Sequence, residues 1–208
     1  IMPKTSSRAI TSASGTADVI ETLAKVDFSS DELKRVVKKT GACLAWGGAL
    51  GLSPSDDKLI RVERLLNLDP ESQLLASIIS KKLAAGSKYV LIDIPYGKNA
   101  KVSLEEGKKL KEKFIKICKH FKLKIKVVLT PGTEPIGNGI GPVLEMKDVL
   151  RVLKRDSPHP EDLEKKSIFL AGEILELVKK AKKGKGMKMA KEGLYSGKAY
   201  KKFNEIIN

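Results

Sequence analysis

Four groups of residues have types and spacing that could do chemistry. The first is Lys4-Thr5-Ser6-Ser7-Arg8-Ala9-Ile10-Thr11-Ser12-Ala13-Ser14-Gly15-Thr16, rich in hydroxyls, with two cations and one glycine near its end. Apolar residues recur at helical spacing directly afterwards, from Ala17 to Ala24. A polar loop thus runs into a helix N-terminus, with Thr16 as N-cap. Free N–H groups, the positive end of the helix dipole, the hydroxyls and Arg8 suit a phosphate. A plain capping loop is the alternative, because Ser/Thr-rich segments commonly precede helices.

The second group is Ser77 and Lys81, four apart and therefore on one face of a helix, with Arg61 on the preceding helix. A surface Ser/Lys pair is the plain alternative. The third is Asp69, directly before Pro70 at a helix start, where an N-cap is the local reading and a capping carboxylate stays ionised. The fourth is Gly97 to Lys101, between a strand and a helix start. Ligands of open α/β sheets lie at the carboxyl ends of strands, so Lys101 is placed to touch one. Metal chemistry has little to work with. The only histidines are His120 and His159, and Cys43 and Cys118 read as buried reduced thiols.

The elements that must position these residues follow from pattern. The first residues read as the end of a strand. Ser29 to Glu32 is a capping box opening a helix to about Lys39, ended by Gly41. Ala42 to Trp46 is a buried strand and Gly47 to Gly51 a tight turn. Pro54 to Leu66 is expected to be one helix, and Asp69-Pro70 to start another that runs to Ala85. Lys88 to Ile94 is the clearest strand. A second capping box, Ser103 to Glu106, opens a helix to about Phe121, and Leu123 to Leu129 is a strand. Thr130 to Ile140 is a Pro/Gly-rich loop before a helix from Pro142 to about Leu153. Glu161 to Lys182 reads as one long helix, Gly184 to Gly186 as a flexible link, and Met189 to Ile207 as helical with a glycine interruption. Alternating strands and helices predict an α/β fold: a mostly parallel sheet flanked by helices, with a small helical subdomain excursion. Residues 1–53 form the first part of the α/β domain, 54–86 the helical segment and 87–208 the remainder.

The 208 residues carry 40 basic and 25 acidic side chains, a formal charge of +15. Such a balance invites a nucleic-acid reading. Aromatics for base stacking are scarce, and many lysines sit on helices beside glutamates, as in Glu105-Glu106-Gly107-Lys108-Lys109. A solvated surface and a small anionic ligand are therefore favoured over a nucleic-acid partner. No apolar run reaches membrane-spanning length and no secretory signal pattern is present, so no membrane partner and a cytoplasmic location are expected.

Several segments carry a resemblance. The 4–16 stretch is followed in order by Leu68-Asp69-Pro70-Glu71-Ser72, Leu75-Ala76-Ser77-Ile78-Ile79-Ser80-Lys81-Lys82-Leu83, Asp93-Ile94-Pro95-Tyr96-Gly97-Lys98-Asn99-Ala100-Lys101 and Gly137-Asn138-Gly139-Ile140-Gly141-Pro142-Val143-Leu144-Glu145. Together they resemble the nucleoside phosphorylases of the thymidine phosphorylase superfamily, most closely the archaeal AMP phosphorylase branch, over roughly residues 1 to 155. The resemblance implies phosphorolysis of a nucleoside 5′-monophosphate (AMP, with CMP and UMP open) to free base and ribose 1,5-bisphosphate. It implies phosphate as co-substrate, no metal or organic cofactor, and a homo-oligomer in the intact protein.

By residue, the resemblance implies that Asp69 donates a proton to the leaving base. Ser6, Ser7, Arg8, Ala9, Ile10, Thr11, Ser12 and Thr16 would hold phosphate and sugar; Ser77, Arg61 and Lys81 would orient the base; Lys101 would touch substrate. Two departures point away from thymidine. The pyrimidine enzymes carry Gly-His-Thr-Gly-Gly-Thr where this chain has Thr11 to Thr16, and an aromatic in place of Lys101. The extra hydroxyls suit an additional phosphate. A pyrimidine nucleoside phosphorylase and a basic nucleic-acid-binding module remain the other readings. The family also has an N-terminal helical region with a glycine-rich phosphate loop and a further C-terminal domain. Neither is found in this sequence, so the chain is expected to be a central fragment, inactive by itself.

Overall fold

The computed structural model describes residues 1–9, 13–51, 54–55, 58–59, 62 and 71–208. In chain order, β1 is Met2–Ser6, α1 Thr16–Glu21, α2 Ser30–Thr40 and β2 Ala42–Trp46, followed by a 3₁₀ turn at Gly47–Leu50. Residues 54, 55, 58, 59 and 62 are helical. Then come α3 (Glu71–Ala84), β3 (Tyr89–Tyr96), α4 (Leu104–His120), β4 (Lys124–Pro131), α5 (Pro142–Lys154), α6 (Glu161–Leu177), α7 (Gly186–Tyr195) and α8 (Lys198–Ile207). Both strand pairs are parallel, β1 with β2 and β3 with β4, as expected for an α/β chain.

The chain divides into two compact units. The first comprises Ile1–Ala85, Gly137–Pro160 and Tyr195–Asn208; the second Gly86–Ile136 and Glu161–Leu194. In the first unit, β1 and β2 pair from Met2↔Ala42 to Ser6↔Trp46. Ala17, Val19, Ile20, Val26 and Met146 form its buried cluster, with Leu44, Trp46, Val149, Leu150 and Phe203 packed against it. The helix starting at Ser30 begins as its sequence requires. The Ser29 hydroxyl accepts the Glu32 N–H, and the Glu32 carboxylate accepts the Ser29 N–H at 2.9 Å. Gly41 closes it at φ 75°, a conformation that costs glycine nothing.

In the same unit Asp148, only 3 % exposed, accepts the Asn138 and Gly139 N–H groups at 2.7 Å each. This carboxylate satisfies the glycine-rich loop ahead of α5, whose Gly137 and Gly141 have φ of 83° and 96°. Glu145 in the first turn of α5 accepts the Gly141 N–H at 3.1 Å and the Ser14 hydroxyl.

In the second unit β3 and β4 run in register from Tyr89↔Lys124 to Tyr96↔Pro131. α4 lies on them through Gly107, where a Cβ would stand 3.3 Å from Leu129 Cδ2. Val90, Ile94, Leu110, Phe114, Cys118 and Val127 are buried there. One polar cluster crosses the strands. Asp93 accepts the Thr130 hydroxyl at 2.7 Å, and Lys166 Nζ reaches Asp93 at 2.9 Å and Thr130 Oγ1 at 3.1 Å. Burying these groups is tolerated because each has a partner.

Three local expectations are corrected. α6 stops at Leu177 rather than Lys182, with the Lys180 and Ala181 N–H groups returning to the Leu175 carbonyl. Gly184 to Gly186 is a packed turn, not a flexible link. Glu176 accepts the Gly186 N–H at 2.9 Å, and a Cβ on Gly186 would lie 2.1 Å from the Gly172 carbonyl oxygen. The helix after the first loop spans six residues rather than running to Ala24, and its N-cap is Gly15 rather than Thr16.

Candidate functional site

The loop from Ser7 to Gly15 leaves β1 and enters α1. Its two ends nearly touch: a Cβ on Gly15 would stand 2.4 Å from the Ser7 carbonyl oxygen and 2.9 Å from the Ala9 nitrogen. That approach explains why glycine takes the cap position that Thr16 was expected to hold. Thr16 is instead the first helical residue and is exposed.

Asp18, which sequence reasoning passed over, ties the loop. Its Oδ2 accepts the Ala9 N–H at 2.7 Å and the Gly15 N–H at 2.8 Å, while Oδ1 lies 3.3 Å from Arg8 Nη1. The Gly15 N–H, with the Ala9 N–H and Arg8 behind it, holds the Asp18 carboxyl below its ordinary range. The signal was available, since Asp18 stands three residues after the cap, where a carboxylate turns back onto cap N–H groups. Arg8 donates to both oxygens of Glu21, with Nη2 at 2.8 Å from Oε1. Its guanidinium also sits 4.8 Å from the centre of the Trp46 ring.

Ser6 closes β1 opposite Trp46 and its hydroxyl donates to the Ser7 carbonyl at 3.2 Å. Lys4, Ser6 and Thr16 share one small crevice with Ala17, Ile20 and Leu44. On α3, Lys81 Nζ donates to Ser77 Oγ at 3.1 Å, so the predicted shared face is real. The next residue, Lys82, also passed over, has its ammonium pKa lowered first by burial and then by the charges of Lys4 and Lys81. Three cations therefore share one electrostatic neighbourhood. A groove of about 270 Å³ between α2 and the end of α8, lined by Phe28, Arg35, Val36 and Ile206, includes none of the expected site residues.

In the second unit, Lys101 is exposed in the turn between β3 and α4. The Gly97 N–H bonds the Val102 carbonyl at 3.1 Å, and a Cβ on Gly97 would lie 2.9 Å from the Thr133 side chain. The Ser103–Glu106 box starts α4 as expected, with the Ser103 N–H donating to Glu106 at 2.8 Å. Ile10, Thr11, Ser12, Arg61 and Asp69 lie outside the described residues. Among the described residues no group of three or more His, Cys, Asp or Glu is arranged to hold a metal ion. Cys43 and Cys118 are free and buried. No helix among the described residues is long and apolar enough to cross a membrane.

Comparison with known proteins places this arrangement. Residues 1–200 match the family model described as "Glycosyl transferase family, a/b domain". The chain is 55 % identical over 207 residues to a Pyrococcus horikoshii protein named AMP phosphorylase, and 52 % identical over 207 residues to a Methanococcus aeolicus protein of the same name. It is also 52 % identical over 207 residues to a Ralstonia nicotianae protein named "Putative thymidine phosphorylase". In each case 99 % of this chain aligns with 41 % of the relative, so the chain spans about two fifths of the length of these proteins. With its parallel α/β units and a match over nearly its whole length, the chain belongs to this glycosyl transferase family.

Proposed function

We propose that the protein carrying this chain catalyses phosphorolysis of a nucleoside 5′-monophosphate, AMP first. The reading rests on the identity across 99 % of the chain to archaeal proteins named AMP phosphorylase. In the reaction an oxygen of orthophosphate forms the new bond to C1′ as the C1′–N bond breaks. The base leaves with the electron pair and takes a proton, and ribose 1,5-bisphosphate remains. The balance involves no redox change, so no redox cofactor is called for, and phosphate is the co-substrate.

Two physical needs assign the residues. The attacking anion must be held against C1′, which removes the entropy of encounter. Ser6, Ser7, Arg8, Ile10, Thr11, Ser12 and Thr16 take this role and contact the sugar, Ala9 supports them through its N–H on Asp18, and Lys101 contacts substrate. The departing base must be protonated and oriented. Asp69 is the acid, a role that requires a raised pKa, for which burial or the phosphate of a bound nucleotide would serve, and Ser77, Arg61 and Lys81 hold the base. The cationic neighbourhood of Lys4, Lys81 and Lys82 favours a substrate with more negative charge than a nucleoside. The enzyme acts in the cytoplasm as a homo-oligomer.

The name of the Ralstonia nicotianae relative supports a second reading, a thymidine phosphorylase. Phosphate-dependent base release by the full-length protein separates the two, comparing AMP, adenosine and thymidine with and without Asp69→Asn. Release from AMP alone, lost in the variant, supports the nucleotide reading. Release from thymidine moves the protein to the pyrimidine branch. No release, with tight salt-sensitive RNA binding, refutes both.

A further inference from the structure

We infer that Asp18 is a positioning residue for Ser7, Arg8 and Thr16, which flank its two bonds, acting through the backbone of Ala9 and Gly15 rather than by touching substrate. The inference rests on the phosphorolysis reading above. Asp18 Oδ2 takes one N–H from each end of the loop, at 2.7 and 2.8 Å, so a single oxygen pins the two ends together. The clamp is itself anchored. Arg8 pairs with Asp18 and Glu21 and lies over the ring of Trp46, whose main-chain N–H donates to the Val26 carbonyl at 2.8 Å. Asp18 is about one-fifth exposed, so these bonds are poorly replaced by water.

The Asp18 carboxylate thus occupies the donors at Ala9 and Gly15 and sets Ser7, Arg8 and Thr16 beside them before any substrate arrives. Residues set in advance receive an incoming phosphate without a further ordering cost, and a displacement near 1 Å removes about 10²-fold in rate.

The test uses the full-length protein with Asp18→Ala, Asp18→Asn and Asp18→Glu. Amide exchange at Ala9 and Gly15 reads the clamp, and kcat and KM for phosphate and AMP read its consequence. Asp18→Ala should raise exchange at both amides and lower kcat/KM for phosphate about 100-fold, below the melting transition. Asparagine keeps a carbonyl oxygen for both N–H groups, so Asp18→Asn should stay within about 10-fold of wild type. Glutamate keeps the charge but is one methylene too long, and Asp18→Glu should fall with Asp18→Ala. Where Asp18→Ala does not fold, the order of the other two decides: glutamate matching or exceeding asparagine overturns the inference. So does Asp18→Ala with kcat/KM within twofold of wild type, whatever its Tm, or with unchanged exchange at Ala9 and Gly15. A wild-type protein that releases no base refutes the phosphorolysis reading and this inference with it, whereas the exchange result judges the clamp alone.

Discussion

Gly15→Ala puts the loop geometry to a direct test. Gly15 has φ −94° and ψ 163°, a conformation open to alanine, so the backbone itself raises no objection. Space does. The added Cβ would stand 2.4 Å from the Ser7 oxygen, 2.7 Å from the Arg8 carbonyl carbon and 2.9 Å from the Ala9 nitrogen, all main-chain atoms that cannot rotate away. Restoring an ordinary contact of about 3.4 Å moves one end of the loop by about 1 Å. Asp18 cannot then hold both N–H groups, because bonds of 2.7 and 2.8 Å would lengthen past hydrogen-bonding range. Overpacking of this kind costs about 1–3 kcal/mol of stability, and a reacting group misplaced by about 1 Å costs about 10²-fold in rate. The assay is kcat/KM for AMP phosphorolysis by the full-length protein beside its urea midpoint. The control is Gly193→Ala, where nothing lies within 4 Å of the added carbon. Alanine inside that helix should leave the rate unchanged and stabilise by about 0.5–1 kcal/mol. A Gly15→Ala protein within threefold of wild type in rate, with an unshifted midpoint, would refute the loop geometry and the argument built on it.

Further expectations follow from other elements. Gly186→Ala places a Cβ 2.1 Å from the Gly172 carbonyl oxygen and should cost about 1–3 kcal/mol or more of stability, read as a lower urea midpoint; an unchanged midpoint counts against the packed turn. Glu32 is held at about 2 by Lys25 and by the Ser29 N–H and hydroxyl. Because its folded pKa lies below the unfolded one, its contribution is complete above the unfolded carboxylate range and is lost as pH falls toward about 2. Glu32→Gln should flatten that acid limb of a Tm-against-pH curve, and superimposable curves would contradict the pairing. Ser103→Ala should cost about 1 kcal/mol by removing the α4 cap, read as a shift in the urea midpoint, and no shift would contradict it. Cys43 and Cys118 are each 1 % exposed and burial pushes their thiols up. Both should resist a thiol reagent in the native protein and react after unfolding; prompt native labelling would contradict their burial.

Elements whose causes are local were legible in the sequence. Ser29 with Glu32 and Ser103 with Glu106 cap their helices as their spacing requires, and Gly41 ends α2 in the left-handed region. β2, β3 and β4 lie where apolar and β-branched residues cluster. The misread features have causes distant in sequence. Val178 to Lys182 reads as helix by propensity, yet the chain turns there and packs Gly186 against Gly172, fourteen residues back. Thr16 is the better cap by residue type, but the neighbouring Ser7 carbonyl leaves room only for glycine at position 15. At the site, the Ser77–Lys81 pairing follows from helical periodicity, and its partner bond is present. The Arg8–Glu21 pairing could not be read from spacing, because loop residues have no fixed register against a helix. Lys82 escaped for a related reason: its burial, and then the charge of Lys4 on a strand far away in sequence, come from tertiary packing.

The segmented make-up of the two units has a consequence for how the chain is made. The first unit draws on Ile1–Ala85, Gly137–Pro160 and Tyr195–Asn208, the second on the two stretches between. During synthesis the first strand, α1 and α2 emerge early but lack α5, whose Met146 completes their buried cluster, and α8, whose Lys202 reaches the Thr40 carbonyl. The Ser14–Glu145 bond also waits for more than a hundred further residues. The early segments must therefore remain incompletely packed until the end of this region has been translated, and non-local closure of this kind is slow. A nascent chain arrested after Pro160 would already carry the Ser7–Gly15 loop and the Asp148 loop, yet lack the last helix of the unit that holds both.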